Sequence, residues 1–561
     1  MRKKIVLLVL IIAIIFTLPL FSGNQKLFDA FSPEYKSVVK LCKIAGVVGP
    51  SSATPITADE LKMAIERIDV NKLDNNHKAI LNSIIEELKP SDDFSYDINF
   101  SIAPQLFYSK NYEKIEQKDF FIPFNEQEPF LNLAFELEYG NTAFFETSYE
   151  LMNSSAIGIN KTDEVYSVKP GIPLSSFGFI VDYRNGVLST SSIREITVSN
   201  YVEFPSVARG AIGGKWMNVV VGRTRQQMGS SRTANLVLGD NYRFQEAMDF
   251  SFFAKPFTYS LNLTHFDVQA LNGVVEHTRY SGPKQQIRIM HRFDATILNN
   301  FRTILDLGNV MFTDNPFDIR YLIPIFMSHN LYNYEEEPET TKNIHDEANN
   351  IMGFEFEYVP LPRLELHMQI VVDQFRTVFE TNSTLPNAIG GMVGASYLKS
   401  FNDFDADFWA EAVYTSPVLY INNKTTKNNK TGLAEKNNNY DWALGYWRDN
   451  TQGDLEWSGY KGGPGVTALT LGCDFDFYKK DIELKSNLTI KVSNDRGYTD
   501  INVIPVSKKY LYLQFDNILN WNYSKHISLY GGLSAQARWD LMNNTPFRFL
   551  PQCAFGFKWS I

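Results

Sequence analysis

The sequence predicts a mainly β protein: a large antiparallel transmembrane β-barrel of roughly 18 to 20 strands, preceded by a small periplasmic α-helical module. Three observations carry this. The stretch from Phe547 to Ile561 places Phe547, Phe549, Pro551, Cys553, Phe555, Phe557, Trp559 and Ile561 on one face of a strand. Arg548, Gln552, Ala554, Gly556, Lys558 and Ser560 fall on the other, with Leu550 the exception. A barrel in an outer membrane requires that alternation, because each strand shows lipid one face and the lumen the other. Composition agrees: aromatics are 14% of 561 residues, with 42 Phe and 28 Tyr, yet mean hydropathy is only -0.21. The third observation is a regular succession of short turns and long excursions.

In chain order, Arg2, Lys3 and Lys4 form a basic run before the apolar stretch Ile5 to Phe21, and Ser22 and Gly23 follow as small residues. This is the pattern of an export signal over residues 1–23. Lys40 and Leu41 before Cys42 are not the small residues of a lipidation site. After Phe21 no apolar run approaches the length of a membrane helix, which excludes a helical inner-membrane bundle.

Residues 24–93 carry helical periodicity. Ser32-Pro33-Glu34 reads as an N-cap with proline at the first helical position, opening a helix through Val38, Val39, Leu41 and Cys42 toward Gly46. Thr57-Ala58-Asp59-Glu60 reads as a capping box ahead of Leu61, Ala64, Ile65 and Ile68. A third helix carries Ile80, Leu81, Ile84, Ile85 and Leu88 up to Pro90. This module is expected on the periplasmic side, as a packing and anchoring unit.

The period changes at Phe94, where Phe94, Tyr96, Ile98, Phe100 and Ile102 alternate with Ser95, Asp97, Asn99 and Ser101, and the barrel is expected over residues 94–561. Short turns are expected at Gly140-Asn141, Asn185-Gly186, Gly213-Gly214, Lys255-Pro256, Asn299-Asn300, Leu361-Pro362, Asp403-Phe404, Lys479-Lys480 and near Tyr523. Long loops lie between them. Counting crossings upward from Phe94 gives an even number and ends at Ile561 on the side of the short turns. A terminal strand with Phe557 and Trp559 resembles the signal by which the barrel-assembly machinery recognises bacterial outer-membrane barrels.

The largest loop, Ile421 to Gly465, concentrates Tyr440, Trp442, Tyr446, Trp447, Trp457 and Tyr460 among Asp441, Arg448, Asp449, Asp454 and Glu456. Rings that stack on apolar sugar faces, beside groups that take hydroxyls, suit glycan binding; Trp442, Tyr446, Trp447, Trp457 and Tyr460 are the candidates. A loop packing on the rim is the alternative. The most distinctive short run is Gly222-Arg223-Thr224-Arg225-Gln226-Gln227-Met228-Gly229, continued by Asn235-Leu236 and Asp240-Asn241. It places arginines and a carboxylate at the end of a strand, where buried charges must be paired. Its candidate lumen residues are Gly222, Arg223, Arg225, Gly229, Asn235, Asp240 and Asn241.

This run, the helical module ahead of it and the barrel remainder resemble the Wzi-type capsule-assembly family of outer-membrane proteins and the related barrels of spirochaetes. In that family Trp usually precedes the second glycine and Asp often follows the first Arg; here Met228 and Thr224 stand there. The resemblance implies an outer-membrane surface lectin, non-enzymatic, that helps fix capsular or other polysaccharide to the cell. The competing function is a passive diffusion porin.

The net charge of -10 argues against a nucleic-acid partner, since there is no basic surplus to neutralise phosphates. Cys42, Cys473 and Cys553 have no metal-ligand spacing and are expected as free thiols. No hydrolase elbow, zinc-protease helix, phosphate loop or dinucleotide fingerprint occurs, so neither an enzyme nor a cofactor is expected. His265, His291 and His367, in predicted strands, are expected to hydrogen-bond at the lumen or an interface.

Overall fold

A computed structural model describes residues 23–89, 94–109, 121–122, 128–159, 166–169, 183–184, 187–193, 196–233, 235–241, 245–266, 285–313, 323, 347–374, 387–417, 419–422, 426–427, 434–435, 442–443, 445–447, 455–494, 509–542 and 547–561. The expected export signal, Asn185-Gly186, and most of the long loops lie outside them.

Eighteen antiparallel crossings close into a barrel. They are β1 (Phe94–Ile102, resumed as Gln105–Ser109), β2 (Leu131–Tyr139), β3 (Ala143–Ile159), β4 (Ile196–Gly214), β5 (Met217–Thr224) and β6 (Gln245–Ala254). Next come β7 (Phe257–Phe266), β8 (Gln285–Leu298), β9 (Phe301–Thr313), β10 (Glu347–Leu361), β11 (Leu364–Gln374) and β12 (Ala388–Ser400). The last six are β13 (Asp405–Thr415), β14 (Val466–Phe477), β15 (Ile482–Asn494), β16 (Lys509–Ser524), β17 (Ile527–Asp540) and β18 (Arg548–Ser560). Closure is made by β18 on β1, with Trp559 opposite Ile102 and Phe555 opposite Leu106. The parity is even, as expected, and the count falls at the lower end of the expected range. The excess came from reading Asn185-Gly186 as a turn between two further crossings. Instead β3 pairs directly with β4 from Ala143↔Ile212 to Ala156↔Thr197, and the short strands Val187–Ile193 and Tyr183–Arg184 continue that sheet outward.

The wall inverts the burial of a soluble protein. On β18, Phe555, Phe557 and Trp559 are exposed, while Leu550, Gln552 and Ala554 on the inner face are buried. On β10, Phe354 and Tyr358 are exposed and Glu355 and Glu357 are buried. Period-two alternation assigns the apolar set to the outside and the charged set to the lumen. The charges are tolerated inside because they are paired.

Among the described residues three α-helices precede the barrel: α1 (Pro33–Ala45), α2 (Ala58–Ile65) and α3 (Asn75–Glu87). Ser32 caps α1 by accepting from the Tyr35 N–H, and Gly46 ends it in the left-handed region. Thr57 and Glu60 form the expected capping box. The module has its own apolar core of Val38, Leu41, Ile44, Leu61, Ala64, Leu81 and Ile84, to which the barrel contributes Leu398. Burial pushes the Cys42 thiol up to about 12, and Cys42, Cys473 and Cys553 are all free.

The module caps the short-turn end of the barrel. Val48 donates to Asn299 O at 2.9 Å, Arg363 N donates to Lys43 O at 2.7 Å, and Gly23 N to Asn141 O at 2.5 Å. Ion pairs supply most of the rest: Lys40 with Asp405 at 2.6 Å and Asp476 at 2.7 Å, Lys43 with Asp407 at 2.6 Å, and Asp29 with Arg209 at 2.7 Å. His77 of α3 stands 3.0 Å from Asp405 and 2.8 Å from Asp74. Burial opposes its charge, but the hydrogen bond and charge of Asp405, with the charge of Asp74, raise its pKa. Glu60 is pushed up to about 7 by burial, against hydrogen bonds from the Thr57 backbone and hydroxyl and from Asn218.

Candidate functional site

After β5 the chain turns back into the lumen. Its apolar residues explain why: Met228, Leu236, Val237 and Leu238 are buried against lumen-facing Met290, Val310, Ile351, Val371, Met392 and Val413. Exposed to a wet lumen these side chains would be costly, and the apolar patch on β8 to β13 removes them from water.

The segment is also held by the N-terminal module. Between α1 and α2 the chain reaches into the barrel, where Ala53 and Thr54 pair antiparallel with Met228 and Gln227, and Gly229 N donates to Ser52 O at 3.0 Å. Gly229 has a φ of +120, and a Cβ there would overlap the side chains of Gln369 and Asn235. The space it leaves is used. Gln369 donates to Asn235 Oδ1 at 3.0 Å and accepts from Leu236 N at 2.8 Å, and Asn235 Oδ1 also accepts from Ser231 N at 3.0 Å.

Buried charges lock the surroundings. Arg292 donates to Asp306 at 3.0 Å, to Glu355 at 2.8 Å and to the Ser52 hydroxyl at 2.7 Å. Arg302 donates to Glu357 and to Pro50 O, both at 2.8 Å. Glu411 accepts from Arg232 N at 2.7 Å, Thr233 N at 2.9 Å and Ser231 Oγ at 3.1 Å, and lies 2.9 Å from His367 Nε2. Each of these carboxylates faces a cation or several donors, which is what a charge out of bulk water requires.

On its outward side the segment is roofed by the two ends of the largest loop. Tyr420 donates to Leu236 O at 2.6 Å and accepts from Tyr460 N at 3.0 Å. Gly239 N donates to Ser458 O at 2.7 Å, and Asn241 donates to Gly459 O at 2.6 Å and to Trp457 O.

The structure therefore brings Arg225, Gly229, Asn235, Asp240 and Asn241 together in the lumen. Arg225 pairs with Asp240 and lies 3.8 Å over the Phe31 ring of the module. Gly222 stays in β5 with a φ of +138, where a Cβ would overlap Ala208 O. Arg223 is the exception: it shares the outward face of β5 with exposed Val221 and pairs across the sheet with exposed Glu246, so it braces the outer wall rather than the lumen.

Trp457 and Tyr460 are corrected as sugar-stacking candidates. Both are buried, packed with Tyr420 and Val466 over the lumen segment, because their backbone forms its roof. The backbones of Trp442, Tyr446 and Trp447 lie in short pairs with Ile421–Asn422 and Leu455–Trp457, and their side chains lie outside the described residues.

Sequence reasoning missed Gln369, Glu411, Arg292 and Arg302, and the insertion of Pro50 to Thr54. The arginines carried a signal, since they sit on the lumen parity of β8 and β9. The insertion carried little beyond a run of small residues, Ser51, Ser52 and Ala53. His367 bonds in the lumen as expected, and His291 takes Tyr259 at 2.8 Å on the outer face. Among the described residues no group of three His, Cys, Asp or Glu side chains is placed to hold a metal ion.

No protein-family model and no curated protein matches the chain. Among solved structures it is similar to Wzi, an outer-membrane protein involved in group 1 capsule assembly in Escherichia coli and described as a carbohydrate-binding β-barrel. The TM-score is 0.52 at 11% identity, over 95% of this chain and 98% of that one. OprD of Pseudomonas aeruginosa (TM-score 0.38, 5% identity, 83% of this chain and 95% of that one) and OccD3 of the same organism (0.39, 8%, 83% and 91%) match more loosely. The chain shares the fold of outer-membrane barrels, closed here by 18 strands.

Proposed function

We propose that the chain is a non-enzymatic outer-membrane barrel, its helical module in the periplasm, that binds or anchors a surface polysaccharide of capsular type and belongs to the Wzi-type group. The observation that carries this is the occupied lumen: residues 225–241, the inserted Ser52 to Thr54 and the Tyr420–Tyr460 roof meet inside the wall. A diffusion porin needs a continuous aqueous path, whereas a binding protein can fill its barrel and lose nothing. The fold shared with Wzi, a carbohydrate-binding barrel, supports the same reading. Outer-membrane lipid meets the apolar outer face and the barrel-assembly machinery inserts the chain.

The test is planar-bilayer conductance of the purified protein beside binding of polysaccharide isolated from the producing cells. Low conductance with saturable binding is expected. Large steady conductance without binding would replace this reading with a passive porin.

A further inference from the structure

The lumen segment leans on β6 to β14. The opposite inner wall, β15 to β17, carries a different surface. Cross-strand register places Lys491, Tyr512 and Arg538 side by side as a first rung, just inside Ser493, Tyr510 and Asp540 at the outer end. Two residues deeper, Thr489, Gln514 and Gln536 form a second rung, and Asn487 and Asp516 begin a third. Successive rungs are about 6.8 Å apart along the strands.

The side chains of this wall are linked in sequence. Arg538 lies 3.7 Å over the Tyr510 ring, and Lys491 lies 4.4 Å over the Tyr512 ring. Gln536 donates to Gln514 at 3.2 Å, and Gln514 donates to Asp516 at 2.8 Å. The chain of amides leaves one end open. Gln536 is 1% exposed, and its Oε1 has no hydrogen-bond partner among the described residues; Asn487 Oδ1 is in the same state. A buried acceptor without a donor is costly, and a ligand hydroxyl relieves it.

We infer that this ladder is a glycan subsite, taking a carboxylate-bearing oligosaccharide segment from the outer mouth. A guanidinium stacked on a ring keeps its edge N–H groups in the plane that meets a carboxylate, so the first rung suits an acid sugar. Amides and hydroxyls on the deeper rungs suit sugar hydroxyls, and the buried Tyr512 ring holds Lys491 and Arg538 in place. The inference rests on the polysaccharide reading above and adds to it a subsite on the wall, below the outer loop.

The test uses the full chain in detergent, titrated with oligogalacturonate and, in parallel, with neutral dextran of similar length. Lys491→Gln with Arg538→Gln is expected to weaken oligogalacturonate binding at least about tenfold, with dextran weak and unchanged. Gln536→Leu is expected to weaken it severalfold. Heat-modifiable gel migration shows which variants hold the folded barrel, and the single Lys491→Gln variant, at a half-buried position, serves if the pair does not fold. Equal oligogalacturonate binding by wild type and folded wall variants overturns the ladder and leaves the polysaccharide reading standing. Failure of both probes while cell-derived polysaccharide still binds also overturns the ladder alone, and failure of all three removes the polysaccharide reading with it.

Discussion

Arg292, on the inner face of β8, donates to the Ser52 hydroxyl at 2.7 Å, so a guanidinium of the barrel wall holds the tip of the N-terminal module's insertion. The same guanidinium is neutralised by Asp306 and Glu355, and the next residues of the insertion pair with Gln227 and Met228. Module, wall and lumen segment are thereby one mechanical unit. Arg292→Leu leaves two carboxylates buried without their cation, a loss of about 3–5 kcal/mol. The midpoint of heat-modifiable migration should fall markedly. An unchanged midpoint would show that the cluster contributes nothing to holding the insertion.

Gly229→Ala tests the lumen segment alone. The left-handed-side φ of +120 and the overlap with Gln369 and Asn235 both act against a methyl group. The expected cost is about 1–3 kcal/mol. It should appear as faster proteolysis within residues 225–241 while the barrel keeps its strand circular dichroism. Loss of the barrel itself would mean that the segment is needed for closure.

How much of this was legible follows from what each residue answers to. Phe555, Phe557 and Trp559 answer to lipid, a uniform solvent, so their alternation alone assigns the strand and its outward face. Ser32, Thr57 and Glu60 answer to backbone N–H groups within three residues, so caps are equally readable. Gln369 and Glu411 hold the lumen segment through backbone N–H groups more than 130 residues away, and nothing local distinguishes them from other polar lumen residues. Trp457 and Tyr460 misled for the same reason: an aromatic loop has the same composition whether its rings meet a ligand or, as here, Tyr420 and Val466. Asn185-Gly186 has the chemistry of a tight turn, but local turn chemistry does not say whether the strands on either side, Tyr183–Arg184 and Val187–Ile193, are membrane crossings.

Docking of the module should depend on pH through His77. Its folded pKa is raised above the ordinary 6.5 by Asp405 and Asp74, against burial. A raised folded pKa gives stability that is fully present below the unfolded value and is lost as pH rises through the folded one. Tryptic cleavage at Arg67, Lys72 and Lys78 should therefore accelerate as pH rises from about 6 to 8.5. The cleavage rates should be normalised to the pH dependence of trypsin on an unfolded peptide. In His77→Gln the slope should be shallower than in wild type, the remainder coming from Glu60, whose buried carboxyl is pushed up to about 7; a slope identical to wild type would remove His77 as a cause.

The tryptophans of the largest loop separate packing from binding. Trp457 is buried under Tyr420 and its carbonyl accepts from Asn241, so Trp457→Ala removes a ring that seals the roof over residues 236–241. A buried Trp cut to Ala costs about 3–5 kcal/mol, part of it from the cavity left behind. The expected phenotype is a loosened roof: brief conductance bursts in a planar bilayer and a lower heat-modification midpoint. Under the proposed function, Trp442→Ala and Trp447→Ala should act differently, lowering polysaccharide binding with the midpoint and the bilayer trace unchanged. The two behaviours are separable because one variant is read by stability and conductance and the others by affinity. If Trp442→Ala and Trp447→Ala leave binding of cell-derived polysaccharide intact while Gln536→Leu lowers it, the outer loop is a lid and the recognition surface is the inner wall of β15 to β17.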